Sequence, residues 1–260
     1  MKKSLLLLMA LMVSALAAPL FAAVKTEKVE YKIGEVVLEG FLAYDDASTE
    51  KRPGVLIVHQ WLGITEHEEN VARKLAEAGY VAFAADIYGK GTRPSGQSEA
   101  GVFAGKYRGG DRKELRARAN AGLDTLKAHA LVDASRTAVI GYCFGGTAAL
   151  EVARSGADIK AAVSFHGGLS AVNADDAKNI KCKVLAHHGA DDPYVPEAEV
   201  LAFQKEMRDA KVDWYLVAYG NAVHSFTDLK ANSDAARYNK EADVRSWAST
   251  MDLFKEVFAK

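Results

Sequence analysis

The chain has 260 residues, 49 % of them hydrophobic, which suits one α/β domain with a sizeable core or at most two small domains. Its 33 basic and 34 acidic residues nearly cancel, so no basic stripe is available for nucleic acid or for an anionic membrane surface. Beyond the amino terminus, no apolar run is long enough to span a bilayer.

The first 23 residues have the pattern of a signal peptide. Two lysines precede an uncharged apolar run over 5–18, which is short for a membrane span, and small residues follow it. We expect cleavage after Ala17, Ala22 or Ala23, with the last two favoured; an uncleaved amino-terminal anchor is the alternative. No cysteine lies near the cut, so no lipid anchor is expected there.

The predicted mature protein is a single domain over residues 24–260 with a net charge of −3, because the two lysines leave with the signal peptide. We expect it to be exported to the periplasm or secreted, with no stable membrane association after cleavage. We expect a monomer or a small homo-oligomer.

Strands and helices alternate along the rest of the chain. Residues 28–33 and 36–44 form a predicted hairpin around Gly34, and helix 66–78 is predicted to begin at the capping residue Thr65. Short apolar runs predict buried strands at 55–58, 80–85, 137–140, 160–165, 183–187 and 212–218. Amphipathic spacing and capping residues predict further helices at 111–130, 146–154, 196–210 and from 233 onward.

This alternation predicts a mostly parallel sheet with helices on both faces, and ligands that bind beyond the carboxyl ends of the strands. The Gly-rich segment 88–110 follows a predicted strand. We expect it to be irregular and to overhang that edge of the sheet.

The clearest functional signal is the segment 141–146, Gly-Tyr-Cys-Phe-Gly-Gly, between a predicted strand and a predicted helix. It matches the nucleophile elbow of α/β-hydrolases with Cys143 in place of serine. The turn is strained and closely packed, which favours glycine beside the nucleophile, and the helix end favours a thiolate. The N–H of Phe144 would then donate to an oxyanion. The alternative is an ordinary buried cysteine in a Gly-rich turn.

A nucleophile of this kind needs a histidine and an acid, in the chain order nucleophile, acid, histidine. Asp191 and Asp192 follow one predicted strand and His224 follows another, at the same edge as the elbow. Taken singly, these are ordinary turn and loop residues; their joint occurrence after Cys143 indicates a triad.

The remaining histidines and the second cysteine carry weaker signals. His187 and His188 are adjacent on a strand and point to opposite faces, so they cannot bind one metal ion together, and we expect no metal. His166 ends a strand and is a candidate pocket residue. A disulfide between Cys143 and Cys182 is an alternative to a reactive thiol in an exported protein.

The chain resembles the dienelactone hydrolase family of α/β-hydrolases over essentially all of its predicted mature length. The matching motifs are Val58-His-Gln-Trp61-Leu-Gly63, Ala85-Asp-Ile-Tyr88-Gly89, Gly141-Tyr-Cys143-Phe-Gly-Gly146, Gly189-Ala-Asp-Asp192-Pro-Tyr-Val-Pro196 and Tyr219-Gly-Asn-Ala-Val-His224-Ser-Phe226.

The resemblance implies an α/β-hydrolase fold and a triad of Cys143, His224 and Asp192, without a metal or organic cofactor. The family's acid lies four residues before the proline, which selects Asp192 over Asp191. The N–H of Trp61 is implied as the second oxyanion donor, beside that of Phe144.

Two departures from the family's pattern bear on the thiol and on the substrate. Family members commonly have a glutamate that helps to control ionisation of the thiol where this chain has Gln60, and the dienelactone-cleaving members have a cation where this chain has Asp228. Lys90 keeps the other basic position, so we predict Gln60 and Lys90 as substrate-binding residues. Further basic residues lie nearby in sequence, namely Arg93, Lys106 and Arg108.

We therefore expect a hydrolase that cleaves a small carboxylic ester or lactone through an acyl-enzyme intermediate. A fixed acid at Asp228 favours a neutral substrate over one that bears a carboxylate. The alternatives are a thioesterase or amidase with the same triad, and a catalytically silent scaffold that acts as a binding protein.

Overall fold

An eight-stranded sheet forms the centre of the computed structural model, which describes residues 24–259. The strands are β1 (Val24–Ile33), β2 (Val36–Asp45), β3 (Arg52–Val58), β4 (Val81–Ala85), β5 (Val132–Tyr142), β6 (Ala161–Phe165), β7 (Lys183–Gly189) and β8 (Trp214–Tyr219). Their order across the sheet is β1-β2-β4-β3-β5-β6-β7-β8, and only the pairings of β2 are antiparallel. The predicted mostly parallel sheet is confirmed. The predicted signal peptide and its cut sites fall outside the described residues.

Helices cover both faces of this sheet. They are α1 (Glu66–Glu77), α2 (Gln97–Arg108), α3 (Lys113–Ala128), α4 (Phe144–Arg154), α5 (Glu197–Asp209) and α6 (Lys240–Phe258), with a 3₁₀ helix at Ala174–Asn179. Leu56 and Val58 of β3 pack on the side of α2 to α5, whereas Val55 and Ile57 pack on the side of α1 and α6. Within residues 24–259, no helix combines the length and apolarity that a membrane crossing requires.

The first hairpin and the first helix form as their sequences predict. Gly34 turns the hairpin with a φ of +55°, in the left-handed region that favours glycine. Thr65 and Glu68 form a reciprocal capping box at the start of α1, in which the Thr65 N–H donates to the Glu68 carboxylate.

The expectation that 88–110 is irregular is wrong for its second half, which forms α2. Ala100, Ala104 and Tyr107 share one buried face at helical spacing. A Cβ at Gly101 or Gly105 would meet nothing within 4 Å, so both glycines face open space. Packing of the buried face therefore outweighs the low helix propensity of the glycines.

Two helix starts also differ from the prediction. Helix α3 begins at Lys113 because Arg112 takes a left-handed conformation, with a φ of 55°, and its guanidinium pairs with the buried Glu151 at 3.0 Å. Helix α6 begins at Lys240 instead of 233. Segment 231–239 bonds instead to the loop after β8, where the N–H of residue 237 donates to the carbonyl of His224 at 3.0 Å.

Candidate active site

Five loops that leave parallel strands meet at the carboxyl edge of the sheet. Their ordering follows from the sheet, since neighbouring strands end side by side. These loops carry the segment 59–63 after β3, Cys143 after β5, His166 after β6, Asp192 after β7 and His224 after β8.

Cys143 lies in a strained turn between β5 and α4, with a φ of 52° and a ψ of −114°. A Cβ on Gly141 would overlap the carbonyl oxygen of Gly145, and a Cβ on Gly145 would overlap the carbonyl oxygen of Val58. The close packing expected at both glycines is confirmed, and it fixes the thiol at the end of β5.

The structure brings Cys143, His224 and Asp192 into one row. The Nε2 atom of His224 lies 3.0 Å from the Cys143 Sγ, and its Nδ1 lies 2.7 Å from Asp192 Oδ2. The second carboxylate oxygen of Asp192 accepts from the N–H of Tyr194 at 2.8 Å, whereas Asp191 is exposed to solvent. This geometry allows proton transfer between thiol and imidazole; the catalytic roles stay a prediction.

The charge state of His224 follows from its neighbours. Burial alone would lower the pKa of His224, but the negative charge of a facing Cys143 thiolate and hydrogen bonding to the Asp192 carboxylate together raise that pKa to about 10. His224 is therefore an imidazolium at neutral pH when it faces a thiolate. Such a pair supplies both a nucleophile and the acid that a leaving group needs.

His166 holds the backbone of the nucleophile. Its Nδ1 accepts from the Cys143 N–H at 3.2 Å, so its Nε2 carries the proton and donates to Thr227 Oγ1 at 2.8 Å. His166 is fully buried, and burial together with the neighbouring His224 lowers the pKa of His166 well below its usual value. A neutral His166 thus links the elbow to the loop that carries His224.

Two backbone N–H groups beside the thiol are free to receive an oxyanion. Neither the N–H of Trp61 nor that of Phe144 donates to a protein acceptor within residues 24–259. The peptide that carries the Trp61 N–H is held through the Gln60 carbonyl, which accepts from the Gly63 N–H at 3.2 Å in a tight turn where Gly63 has a φ of +82°. The next peptide is held by the Tyr88 hydroxyl, which donates to the Trp61 carbonyl at 2.8 Å. Their role as oxyanion donors stays a prediction.

The predicted substrate-binding residues lie in different places. Gln60 is buried beside the site, and its Nε2 donates to Asp228 Oδ2 at 3.2 Å. Lys90 does not join Gln60 and Asp228, because its ammonium pairs with Glu30 on β1. Arg93 lies nearer, since a Cβ on Gly63 would come within 2.9 Å of the Arg93 Cδ.

Several contacts of the site were missed by sequence reasoning. Thr227 joins His166 through its hydroxyl, and the Tyr194 ring stands edge-on to the His224 ring at 5.2 Å between centroids. The sequence indicates only that Thr227 lies close to His224 and Tyr194 close to Asp192 along the chain. It does not predict the contacts themselves, because His166 is 61 residues from Thr227 and His224 is 30 residues from Tyr194.

Both cysteines are free thiols, so the disulfide alternative does not describe this structure. His187 and His188 point to opposite faces as expected: His187 bonds to Thr250 Oγ1 at 3.0 Å, while His188 lies on the side of Asp192. Among the described residues, no group of three or more His, Cys, Asp or Glu side chains is arranged to hold a metal ion.

The chain is similar in sequence and in fold to known proteins. The model of the dienelactone hydrolase family matches residues 38–258. A Bradyrhizobium sp. protein named "Probable 2-oxo-3-(5-oxofuran-2-ylidene)propanoate lactonase" is 30% identical, over 78% of this chain and 83% of its own. A Yersinia pestis protein provisionally named a carboxymethylenebutenolidase is 26% identical, over 84% of each chain.

A solved structure extends this comparison. The dienelactone hydrolase-like promiscuous phosphotriesterase P91, from metagenomic libraries, superimposes with a TM-score of 0.86 and is 41% identical. The match covers 90% of this chain and 99% of P91.

Proposed function

The chain belongs to the dienelactone hydrolase family and is a carboxylic ester hydrolase, and on this premise we propose that it acts through a Cys143–His224–Asp192 triad. The observation that carries the proposal is the hydrogen-bonded row from the Cys143 thiol through His224 to the Asp192 carboxylate.

The first half of the reaction forms an acyl-enzyme. The Cys143 thiolate attacks the ester carbonyl, a C–S bond forms, and the carbonyl electron pair moves to oxygen. The N–H groups of Trp61 and Phe144 stabilise that oxyanion. When the intermediate collapses, the C–O bond breaks and the alkoxide takes the Nε2 proton of His224.

The second half returns the enzyme to its starting state. Neutral His224 removes a proton from water, which attacks the thioester carbonyl. The second oxyanion collapses with cleavage of the C–S bond, so that Cys143 leaves as a thiolate beside the imidazolium. Asp192 holds the Nδ1 proton throughout and keeps the ring in place.

The substrate is proposed to be neutral around the reacting carbonyl. Asp228 places a carboxylate against Gln60, Lys90 is paired with Glu30, and Arg93 is paired with Asp86 at 3.4 Å, so neither of these two cations is left unpaired for a substrate carboxylate. Neutral lactones should be cleaved faster than carboxylate-bearing analogues, and added salt should narrow that difference if Asp228 is its cause. A preference for an anionic lactone that is lost in Lys90→Ala would contradict this assignment.

Trapping of the acyl-enzyme tests the proposal directly. The protein is mixed with 4-nitrophenyl acetate, quenched in acid and mapped by mass spectrometry, with Cys143→Ala as the matched control. We expect one acetyl group on Cys143 and loss of turnover in the variant. Wild-type turnover in Cys143→Ala would contradict the proposal. A panel with thioesters and anilides separates the thioesterase and amidase alternatives, and failure on every substrate would favour a silent scaffold.

A second activity, cleavage of phosphotriesters, is favoured by the 41% identity to a protein described as a promiscuous phosphotriesterase. The same thiolate and oxyanion donors would serve a phosphoryl centre. We expect slow release of 4-nitrophenol from its diethyl phosphate ester, lost in Cys143→Ala. Equal release by the variant would contradict this second activity.

Export after signal cleavage is also proposed. Expression of the full chain followed by amino-terminal sequencing of the periplasmic and extracellular fractions tests it. We expect a terminus at Ala23 or Val24, corresponding to the favoured cuts. An intact amino terminus in the membrane fraction would favour the anchor instead.

A further inference from the structure

A cavity of about 520 Å³ lies beside the proposed oxyanion segment, on the face of the sheet that carries α1 and α6. It is lined by Gln60, Trp61 and Tyr142 and by residues 227–230 of the loop after His224. Its volume falls in the range of about 300–1,000 Å³ that is usual for small-molecule sites. Cys143 does not line it, so the cavity is a side pocket of the nucleophile's site.

The cavity walls are mostly apolar. Leu62 and Leu229 line it, and these side chains are 37% and 78% exposed. Val71 and Trp247 form the opposite side, on α1 and α6. Covering apolar surface that is open to water lowers the free energy, so these side chains favour binding of an apolar ligand.

The charges around the cavity disfavour an anionic occupant. Three acids line it, Glu66, Asp228 and Asp243, against two lysines. Both lysines are engaged: Lys230 pairs with Glu66 at 2.9 Å, and the Lys74 ammonium lies 3.8 Å from the centre of the Trp247 ring. A carboxylate in the cavity would therefore lose its hydration without gaining a free cation.

The cavity also adjoins the reacting centre. Trp61 lines the cavity, and its backbone N–H is also the proposed oxyanion donor. A carbonyl held by that N–H would therefore lie next to a residue of the cavity wall. The Gln60–Asp228 hydrogen bond lies at the same boundary.

From these observations we propose that the cavity binds a neutral apolar arm of the ester, such as an arylalkyl group, while the carbonyl lies at Cys143. This inference rests on the proposed function and defines its substrate class. The protein is an esterase for neutral esters with a bulky arm, and a small lactone would leave the cavity unfilled.

The test compares esters with and without the arm. The substrates are methyl 4-phenylbutanoate, with the arm on the acyl side, 3-phenylpropyl acetate, with the arm on the alcohol side, and methyl acetate, with no arm. Leu229→Asp places a charge in the cavity lining at a position that is 78% exposed. Leu201→Asp is the matched control, because Leu201 is 55% exposed on α5, on the other face of the sheet.

We expect Leu229→Asp to lower kcat/KM for one of the two arm-bearing esters roughly 5- to 30-fold, the loss expected for one apolar contact and an unpaired charge. The value for methyl acetate should change by less than about twofold, and Leu201→Asp should change none of the three values. The arm-bearing ester that responds identifies the side of the scissile bond that enters the cavity. If Leu229→Asp left the kcat/KM of both arm-bearing esters unchanged relative to methyl acetate, the proposal would be overturned.

Binding without hydrolysis separates this inference from the proposed function. In Cys143→Ala, titration with 3-phenylpropan-1-ol should give a saturable change in tryptophan fluorescence, since Trp61 and Trp247 line the cavity. The change should weaken when Leu229→Asp is added and persist when Leu201→Asp is added. Saturable, Leu229-dependent binding would support the cavity even if the wild type hydrolysed nothing. Binding that ignores Leu229→Asp would overturn the proposal even if Cys143 proved to be the nucleophile.

Discussion

The two cysteines of this chain occupy opposite edges of the same sheet. Cys143 follows the carboxyl end of β5 in a left-handed turn, with its thiol 3.0 Å from His224. Cys182 directly precedes the amino end of β7, is buried among apolar side chains, and has its pKa raised to about 12 by that burial. The residue type is the same, but only Cys143 has a histidine partner and a helix N-terminus beside its thiol.

The difference between them shows where reactivity comes from. A buried thiol without a charged partner stays protonated, because burial disfavours the charged form. Cys143 has an imidazole that becomes an imidazolium, and it stands at the N-terminus of α4. The elbow therefore has the groups that stabilise a thiolate, and the start of β7 has none of them.

Removing each thiol in turn has the largest expected effect. Cys143→Ala should lower kcat/KM for 4-nitrophenyl acetate by a factor on the order of 10⁴ or more, because it removes the atom that forms the acyl-enzyme. Cys182→Ala should leave kcat/KM within about twofold and lower the free energy of unfolding by about 1 kcal/mol. Comparable activity losses in both variants would remove the contrast between the two cysteines.

Removing the orienting acid should have the next largest effect. Asp192→Asn should lower kcat by a factor on the order of 10² to 10⁴, since His224 loses the acceptor of its Nδ1 proton. Asp191→Asn is the matched control and should change kcat little, because Asp191 is exposed. Steady-state kinetics on one neutral ester measure both. The opposite ranking would show that the loop after β7 uses its other carboxylate.

A charge introduced at Gln60 tests how closely the thiolate depends on its surroundings. Gln60→Glu places a carboxylate against Asp228, next in sequence to the proposed oxyanion donor Trp61. If that charge reaches the thiolate, the rising limb of the rate profile should move to higher pH. At pH 7 we expect alkylation of Cys143 to slow by about 3- to 10-fold. Gln60→Glu combined with Asp228→Asn removes the mutual repulsion and should recover part of that rate. An unshifted profile would place Gln60 outside the electrostatic range of the thiol.

The pH dependence of the free energy of unfolding is a smaller effect, and it distinguishes the site of Cys143 and His224 from that of Cys182. The pKa of His224 is raised from 6.5 to about 10, so its contribution to stability is complete below pH 6.5 and is lost as pH rises toward 10. The pKa of Cys182 is raised from 9.0 to about 12, so its contribution is lost only above pH 9.

Urea unfolding measures this difference. Between pH 7 and pH 9 the free energy of unfolding should fall more steeply in the wild type than in His224→Asn, and Cys182→Ala should follow the wild type. Identical slopes for the wild type and His224→Asn would mean that the raised pKa of His224 does not contribute to stability.

The sequence predicts the sheet and the order of its strands along the chain because buried strands are short apolar runs between turn residues. The sequence does not predict α2, because Gly101 and Gly105 have a low helix propensity. The helix forms because Ala100 and Ala104 lie on one buried face. The sequence also does not predict the start of α6, since backbone hydrogen bonds to the His224 loop hold the preceding residues outside the helix.

For the candidate site, too, the sequence predicts some residues and not the contacts of others. Cys143, Asp192 and His224 were selected by motifs and by chain order, and the structure brings them together. Other residues of the region form contacts with residues that are far away in the sequence, and a local sequence motif does not predict such contacts. Lys90 pairs with Glu30, 60 residues away, and His166 bonds to Thr227, 61 residues away.

Limited alkylation followed by peptide mapping tests the central claim most directly. The folded, unreduced protein is treated with one equivalent of iodoacetamide at pH 7, and label at each cysteine is quantified against residual ester turnover. The contrast between the two thiols predicts label on Cys143 alone and loss of turnover in proportion to labelling. Full turnover after stoichiometric labelling of Cys143, or equal labelling of Cys182, would contradict it.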